Sequence, residues 1–244
     1  MADTLPVDAD SKTSGATIQY HHALGSKVPP GKTVEHLSED TLVYLVGKHV
    51  AAFQYENPQH RFILKNNKTS EIVTFCVSSN RKYIALAERL VEGALQVNIY
   101  TQHTGSKVRS LEFKYLSKLP VVSMDFSTDN KYLATVTALP DVYIYLWQVD
   151  KSRLVGMIDV PFELTRITIS PWNFWTMCTT GPSSLKLWRL VDKQLKPVDP
   201  MPKRKDGTQG QAYRFTCHCW YDEEKLVAGT EEGDIIVVEN SEVR

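Results

Sequence analysis

Hydrophobic and polar positions alternate with a period of two along most of this chain, in runs of five to eight residues rich in Val, Ile, Tyr, Phe and Thr. Asn, Asp, Gly, Pro and Lys separate the runs. That pattern predicts many short β-strands joined by tight turns from Thr41 onward. Residues 81–93 also suit a helix, because Ala85, Leu86, Ala87 and Leu90 are good helix formers. The same register is occupied by evident strands one repeat later, so they are read as strand. The first fifteen residues are small, polar or acidic and are read as a disordered tail. A β-like piece at 16–24 and a loop at 25–31, with the Pro29-Pro30 pair, precede the strands.

The strands repeat. IVTFCVSSNRKYIALA (72–87) is matched nearly fifty positions later by VVSMDFSTDNKYLATV (121–136), and Lys82-Tyr83 recurs as Lys131-Tyr132. TRITISPWNFWTMC (165–178) and RFTCHCWYDEEKLVAG (214–229) continue the series. Each copy is a strand, a polar turn and a second strand. A third strand follows at 95–100, 142–148, 184–190 and 234–239, and the first three copies add a fourth at 107–113, 153–160 and 194–198. Four strands per unit at a spacing of roughly 40–50 residues predict blades of a β-propeller. In the first strand of the third blade, Val122, Met124 and Phe126 are expected on one face and Ser123 and Asp125 on the other.

The third strands end on an aromatic residue, Trp147, Trp188 and, as a variant, Tyr100. Tyr83 and Tyr132 open the second strands. With the Ser-x-Asp-Asn-Lys-Tyr turn, these words resemble WD repeats. The Gly-His pair that opens a strong WD repeat is missing, and Gln and Arg replace Asp after the two tryptophans. The runs 78–88, 123–133, 142–147 and 226–234 are similar to the first propeller of the cilia- and flagella-associated WD-repeat proteins, over about nine-tenths of the chain. That resemblance implies a non-enzymatic scaffold of the ciliary or flagellar axoneme, within the cytoplasmic cytoskeleton, that supports inner dynein arms. Its implied partners are axonemal proteins, including inner-arm dynein subunits and doublet microtubules. A general WD-repeat adaptor of a ubiquitin ligase or RNA-associated complex, and a propeller hydrolase, stay open as alternatives.

Composition narrows the classes. Twenty-eight basic and 28 acidic side chains cancel, which argues against bulk electrostatic binding to nucleic acid or anionic lipid. No run approaches the roughly 18 apolar residues of a membrane span. The acidic start, 1–10, has no apolar core of the secretory kind. A soluble intracellular protein is expected. No phosphate loop, nucleophile elbow or His-Glu metal word is present, and neither catalysis nor a cofactor is expected.

Individual candidates are few. Cys217 and Cys219 flank His218, but C-x-C in a strand puts both thiols on one face and the imidazole on the other, which is poor zinc geometry. These two, with Cys76 and Cys178, are expected as buried structural thiols. His21-His22 cannot easily share a metal, and the Asn67 sequon is incidental without a secretory signal. Asp125, Asp129, Asp141 and Asp159 recur at turns or strand edges and are read as turn chemistry. The one basic cluster, Lys203, Arg204 and Lys205, lies in a long connection and is the best candidate for contact with an acidic partner such as tubulin.

The length then bears on closure. Residues 1–15 form the tail and 16–244 a partial propeller, with blades at about 41–66, 72–113, 121–160, 164–199 and 213–240. The first is expected to be partial and the last to have three strands. WD propellers commonly use about seven blades. An open arc of four to five blades is therefore expected, with exposed edges that pair with another propeller or with the remainder of a longer chain.

Overall fold

The computed structural model describes residues 34–64, 68–113, 120–200 and 213–243. They form five four-stranded antiparallel sheets, with no helix among the described residues. Blade 1 holds β1 (Val34–His36), β2 (Thr41–Val46), β3 (His49–Gln54) and β4 (Gln59–Leu64). Blade 2 holds β5 (Thr69–Val77), β6 (Tyr83–Leu90), β7 (Leu95–Thr101) and β8 (Lys107–Glu112). Blade 3 holds β9 (Val121–Phe126), β10 (Tyr132–Thr137), β11 (Val142–Gln148) and β12 (Arg153–Val160). Blade 4 holds β13 (Arg166–Ile169), β14 (Thr176–Gly181), β15 (Ser184–Val191) and β16 (Gln194–Val198). Blade 5 holds β17 (Phe215–Trp220), β18 (Lys225–Thr230), β19 (Ile235–Glu239) and β20 (Glu242–Val243). Blade 1 is thus not partial, because β1 completes it, and β20 gives blade 5 its fourth strand.

The strands of each blade are hydrogen-bonded in chain order, so one blade is a meander. A two-faced sheet of this size must bury both faces against neighbours. Four apolar clusters do this, one between each consecutive pair of blades. Among the described residues no cluster joins blade 5 to blade 1, and the arc stays open.

The alternation predicted for β9 holds with one correction. Val121 pairs with Thr137 and Ser123 with Val136, so the ladder bulges at Val122. The extra residue turns Val122 toward blade 4, while Val121, Met124 and Phe126 pack on blade 2. Ser123 and Asp125 face blade 4, where Ser123 Oγ accepts from Ile167 N at 3.1 Å and Asp125 Oδ2 from Ile169 N at 2.9 Å. Glu35 Oε2 has the same role at the junction of blades 1 and 2, accepting from Val77 N at 2.6 Å. Side chains of one innermost strand thereby hold the backbone of the next.

The aromatic ends of the third strands all face backward, onto the preceding blade. Tyr100 sits in the cluster between blades 1 and 2, Trp147 between 2 and 3, and Trp188 between 3 and 4. Trp147 Nε1 donates to Thr135 Oγ1 at 3.1 Å and Trp188 Nε1 to Thr179 Oγ1 at 2.8 Å. Half of the WD-type bond network therefore exists without the Gly-His pair. Blade 2 solves the same problem differently. Tyr100 Oη donates to the buried Glu88 carboxylate at 3.0 Å, Asn98 Nδ2 donates to it as well, and Ser110 Oγ donates to Asn98 Oδ1 at 2.5 Å. Tyr83 and Tyr132 face forward, each packed against the next blade.

Candidate interaction surface

The turns between first and second strands follow one design. Ser78 Oγ donates to Asn80 Oδ1 at 2.8 Å and accepts from Tyr83 N at 2.9 Å. Ser127 repeats this with Asp129 Oδ1 at 2.6 Å and Tyr132 N at 2.9 Å. This is the turn role expected of Asp129. At the same end of each blade the third-to-fourth turn is tied to the first-to-second turn by one main-chain bond. Its members are Tyr55 N to Asp40 O, Gln102 N to Lys82 O, Val149 N to Lys131 O, Leu190 N to Trp175 O, and Asn240 N to Glu224 O, all between 2.8 and 3.0 Å. One rim of the arc is thus clamped five times by backbone alone.

What the rim displays changes along the arc. Blades 2 and 3 present polar turns. Blade 4 carries Trp172, Phe174 and Trp175 in the equivalent turn, held by Ser170 Oγ accepting from Asn173 N at 3.3 Å and by Asn173 Oδ1 accepting from Trp175 N at 3.0 Å. Phe174 stacks on Tyr132 of blade 3 with centroids 5.1 Å apart and packs on Trp175 at 4.3 Å. Trp172 is half exposed, and Tyr221 of blade 5 stands in solvent. Beside them a cleft of about 460 Å³ runs between blades 4 and 5, lined by Trp175, Arg189, Leu190, Trp220, Glu223 and Glu224. Arg189 Nη2 donates to Ser241 Oγ at 3.0 Å across its floor. Apolar walls with a few charges suit a peptide segment. These aromatics stand in the sequence as three large rings in five residues, a density that reads as core; only the polar composition of the matching turns points to the surface.

The remaining candidates separate. His218 lies between blades 4 and 5, with Nε2 2.8 Å from Thr168 Oγ1 and Nδ1 2.8 Å from Thr180 Oγ1. Thr168 Oγ1 also accepts from Trp220 Nε1 at 2.9 Å. Burial, aided by the Arg166 charge, pushes the imidazole down to about 3, so it is neutral. Cys217 and Cys219 are on the opposite face, as the spacing requires, but both are exposed. The expectation of buried thiols fails for these two because no described strand covers the forward face of blade 5. It holds for Cys76 and Cys178, and burial raises the Cys178 thiol. Asp141 and Asp159 are exposed at the ends of blade 3. No cluster of three or more His, Cys, Asp or Glu able to hold a metal exists among the described residues. Lys203, Arg204, Lys205, His21, His22 and Asn67 lie outside the described residues.

Five meander blades, aromatic third-strand ends tied to Thr hydroxyls, and clamped turns define an incomplete propeller of the WD-repeat kind. Two solved propellers share the fold. U3-55K superposes with a TM-score of 0.62 over 84% of this chain and 59% of that one, at 12% identity. The Cps50 (Swd1) β-propeller domain of Myceliophteria thermophila gives 0.59 over 74% and 55%, at 15% identity. No protein-family model matches the chain. In sequence the chain is similar to the mouse cilia- and flagella-associated protein 57, at 24% identity over 95% of its length. It is similar also to cilia- and flagella-associated protein 43 of Xenopus laevis, at 23% over 72%. A Tetrahymena thermophila protein, cilia- and flagella-associated protein 57 A, is 25% identical over 49%. The chain spans only 18% of the mouse relative and 11% of the Xenopus one.

Proposed function

We propose that this chain is a non-enzymatic recognition scaffold of motile cilia or flagella, seated in the axoneme, that supports assembly or regulation of inner dynein arms through protein–protein contacts. The observation that carries the reading is the similarity to a cilia- and flagella-associated protein over nearly the whole chain, on a propeller fold whose rim holds an aromatic cleft. A rigid scaffold presenting variable turns is a recognition device. The cleft between blades 4 and 5 takes a peptide of a partner, and the Lys203, Arg204 and Lys205 segment contributes a contact with an acidic surface such as that of doublet tubulin. The two solved propellers carry only the fold and lend no weight to a ubiquitin-ligase or RNA-associated role.

The test is a tagged chain expressed in ciliated cells, with the endogenous protein depleted in parallel. Recovery in isolated axonemes, and loss of inner-arm dynein on depletion, is the expected result. A chain absent from axonemes, with inner arms intact in its absence, overturns the proposal. Replacing Trp172 and Tyr221 by Ala should weaken axonemal retention without changing the thermal midpoint, because both side chains are largely outside the core.

A further inference from the structure

The repeat supplies an internal control for its own end. In each blade the second and third strands pair so that one register position looks forward, to the next blade. That position is filled by Val97 opposite Ala87, Ile144 opposite Val136, Leu185 opposite Thr180, and Ile235 opposite Gly229. The first three of these third-strand residues are 0%, 0% and 1% exposed; Ile235 is 73% exposed. The innermost strand tells the same story. Cys76 opposite Ala85 is fully buried, and its counterpart Cys219, opposite Val227, is open to solvent. Blade 5 therefore keeps the small and β-branched surface that elsewhere receives a neighbour, on a face that no described strand covers.

Blade 1 is the converse. Its third strand carries Phe53 opposite Leu42, the register held by Tyr100 opposite Ile84, Trp147 opposite Leu133 and Trp188 opposite Met177. Those three aromatics are the backward-facing residues at every junction they enter. Phe53 packs on His60 at 4.7 Å within its own sheet, while Phe62 of the same sheet is 62% exposed. One end of the arc thus offers the forward half of a junction and the other end the backward half.

We infer that the forward face of blade 5 docks on the backward face of blade 1 of a second copy of this chain, forming a head-to-tail junction that continues the four within the chain. The argument is continuity: the occupant must present large aromatic side chains at fixed registers of a meander sheet, and blade 1 does. The contact is heterologous, so two arcs close on each other or more extend in a row. A sheet of four strands about 4.8 Å apart and about six residues long covers roughly 400 Å². That is about half the surface each partner gives to a stable complex. A single junction is therefore weak, and association grows with concentration. The inference stands on the fold alone and is independent of the ciliary proposal.

Sedimentation velocity of the whole chain across a hundred-fold concentration range tests it. The expected result is a rise from the 27.7 kDa chain to at least twice that mass. Ile235→Lys and Phe62→Glu, each alone, should abolish the rise. In parallel, alkylation of Cys217 and Cys219 should slow several-fold with concentration in the parent chain and in neither variant, while Cys76 and Cys178 stay unreactive in all three and report an intact fold. A single 27.7 kDa species throughout overturns the inference. So does an association that only one of the two variants removes, since that means a symmetric contact through one end.

Discussion

Acid should open the junction between blades 4 and 5 through His218. The unfolded chain takes up a proton on this imidazole below about pH 6.5, whereas the folded site, whose value is pushed down to about 3, does not. Stability is therefore fully present above about pH 6.5 and is lost as pH falls toward 3. Each unit in that window is about 1.4 kcal/mol. Between pH 7 and pH 5 the His218 contribution comes to about 2 kcal/mol, because only the unfolded state titrates there. At a urea slope of about 3 kcal/mol/M that is a midpoint shift of roughly 0.7 M. The measurement is urea unfolding followed by tryptophan fluorescence at pH 7, 6 and 5, for the parent chain and His218→Gln. Titration of the other histidines is common to both, so the difference in pH dependence isolates His218. The variant should start less stable, since Gln cannot meet both Thr168 and Thr180 in the imidazole geometry, and should lose about 2 kcal/mol less on acidification. Parallel pH curves, agreeing to within about 0.5 kcal/mol, would falsify the neutral-imidazole reading.

Three further outcomes are expected. Gly181→Ala should destabilise the chain by about 3 kcal/mol or more in the same urea assay, because a Cβ there would collide with the Glu163 backbone oxygen between blades 3 and 4. Trp188→Phe should cost about 2 kcal/mol by leaving the buried Thr179 hydroxyl without its indole donor, and Trp188→Phe with Thr179→Val should recover some of that loss. Lys193→Gly should raise the thermal midpoint by a few degrees, since Lys193 holds φ at 63° in an exposed turn where glycine carries no Cβ penalty.

Most of the fold is legible because the period-2 alternation and the turn words act locally. Lys82-Tyr83 and Lys131-Tyr132 mark the same corner twice, and Trp147 and Trp188 mark the same junction position. The misses share a physical cause: they depend on a partner strand. β1 is three residues long and contains Glu35 and His36, so no alternation announces it; what makes it a strand is its pairing with β2 and the grip of Glu35 on Val77. The bulge at Val122 is a slip of register against β10, invisible in β9 alone. Cys217 and Cys219 look like Cys76 in sequence, and their exposure follows from what stands beside blade 5. The aromatic turn at 171–175 is open to view, but ring density without the rim geometry reads as core.

The two kinds of bond that build this arc divide the labour between constancy and variation. The five clamps between turns are main chain to main chain, so any residue can occupy those corners without loosening the rim. That freedom is used: Lys82 and Lys131 stand where blade 4 has Trp175 and blade 5 has Glu224. The bonds between innermost strands are the opposite case, made by the side chains Glu35, Ser123, Asp125 and His218 onto the neighbouring blade. A change there breaks a junction, and a change on the rim leaves the scaffold standing. Recognition can therefore diverge at Trp172, Trp175 and Tyr221 while the junction residues stay under the constraint of packing. Variation should then be tolerated at the rim corners and penalised at the four inner side chains, and a scan of both sets by thermal unfolding would show whether the division is real.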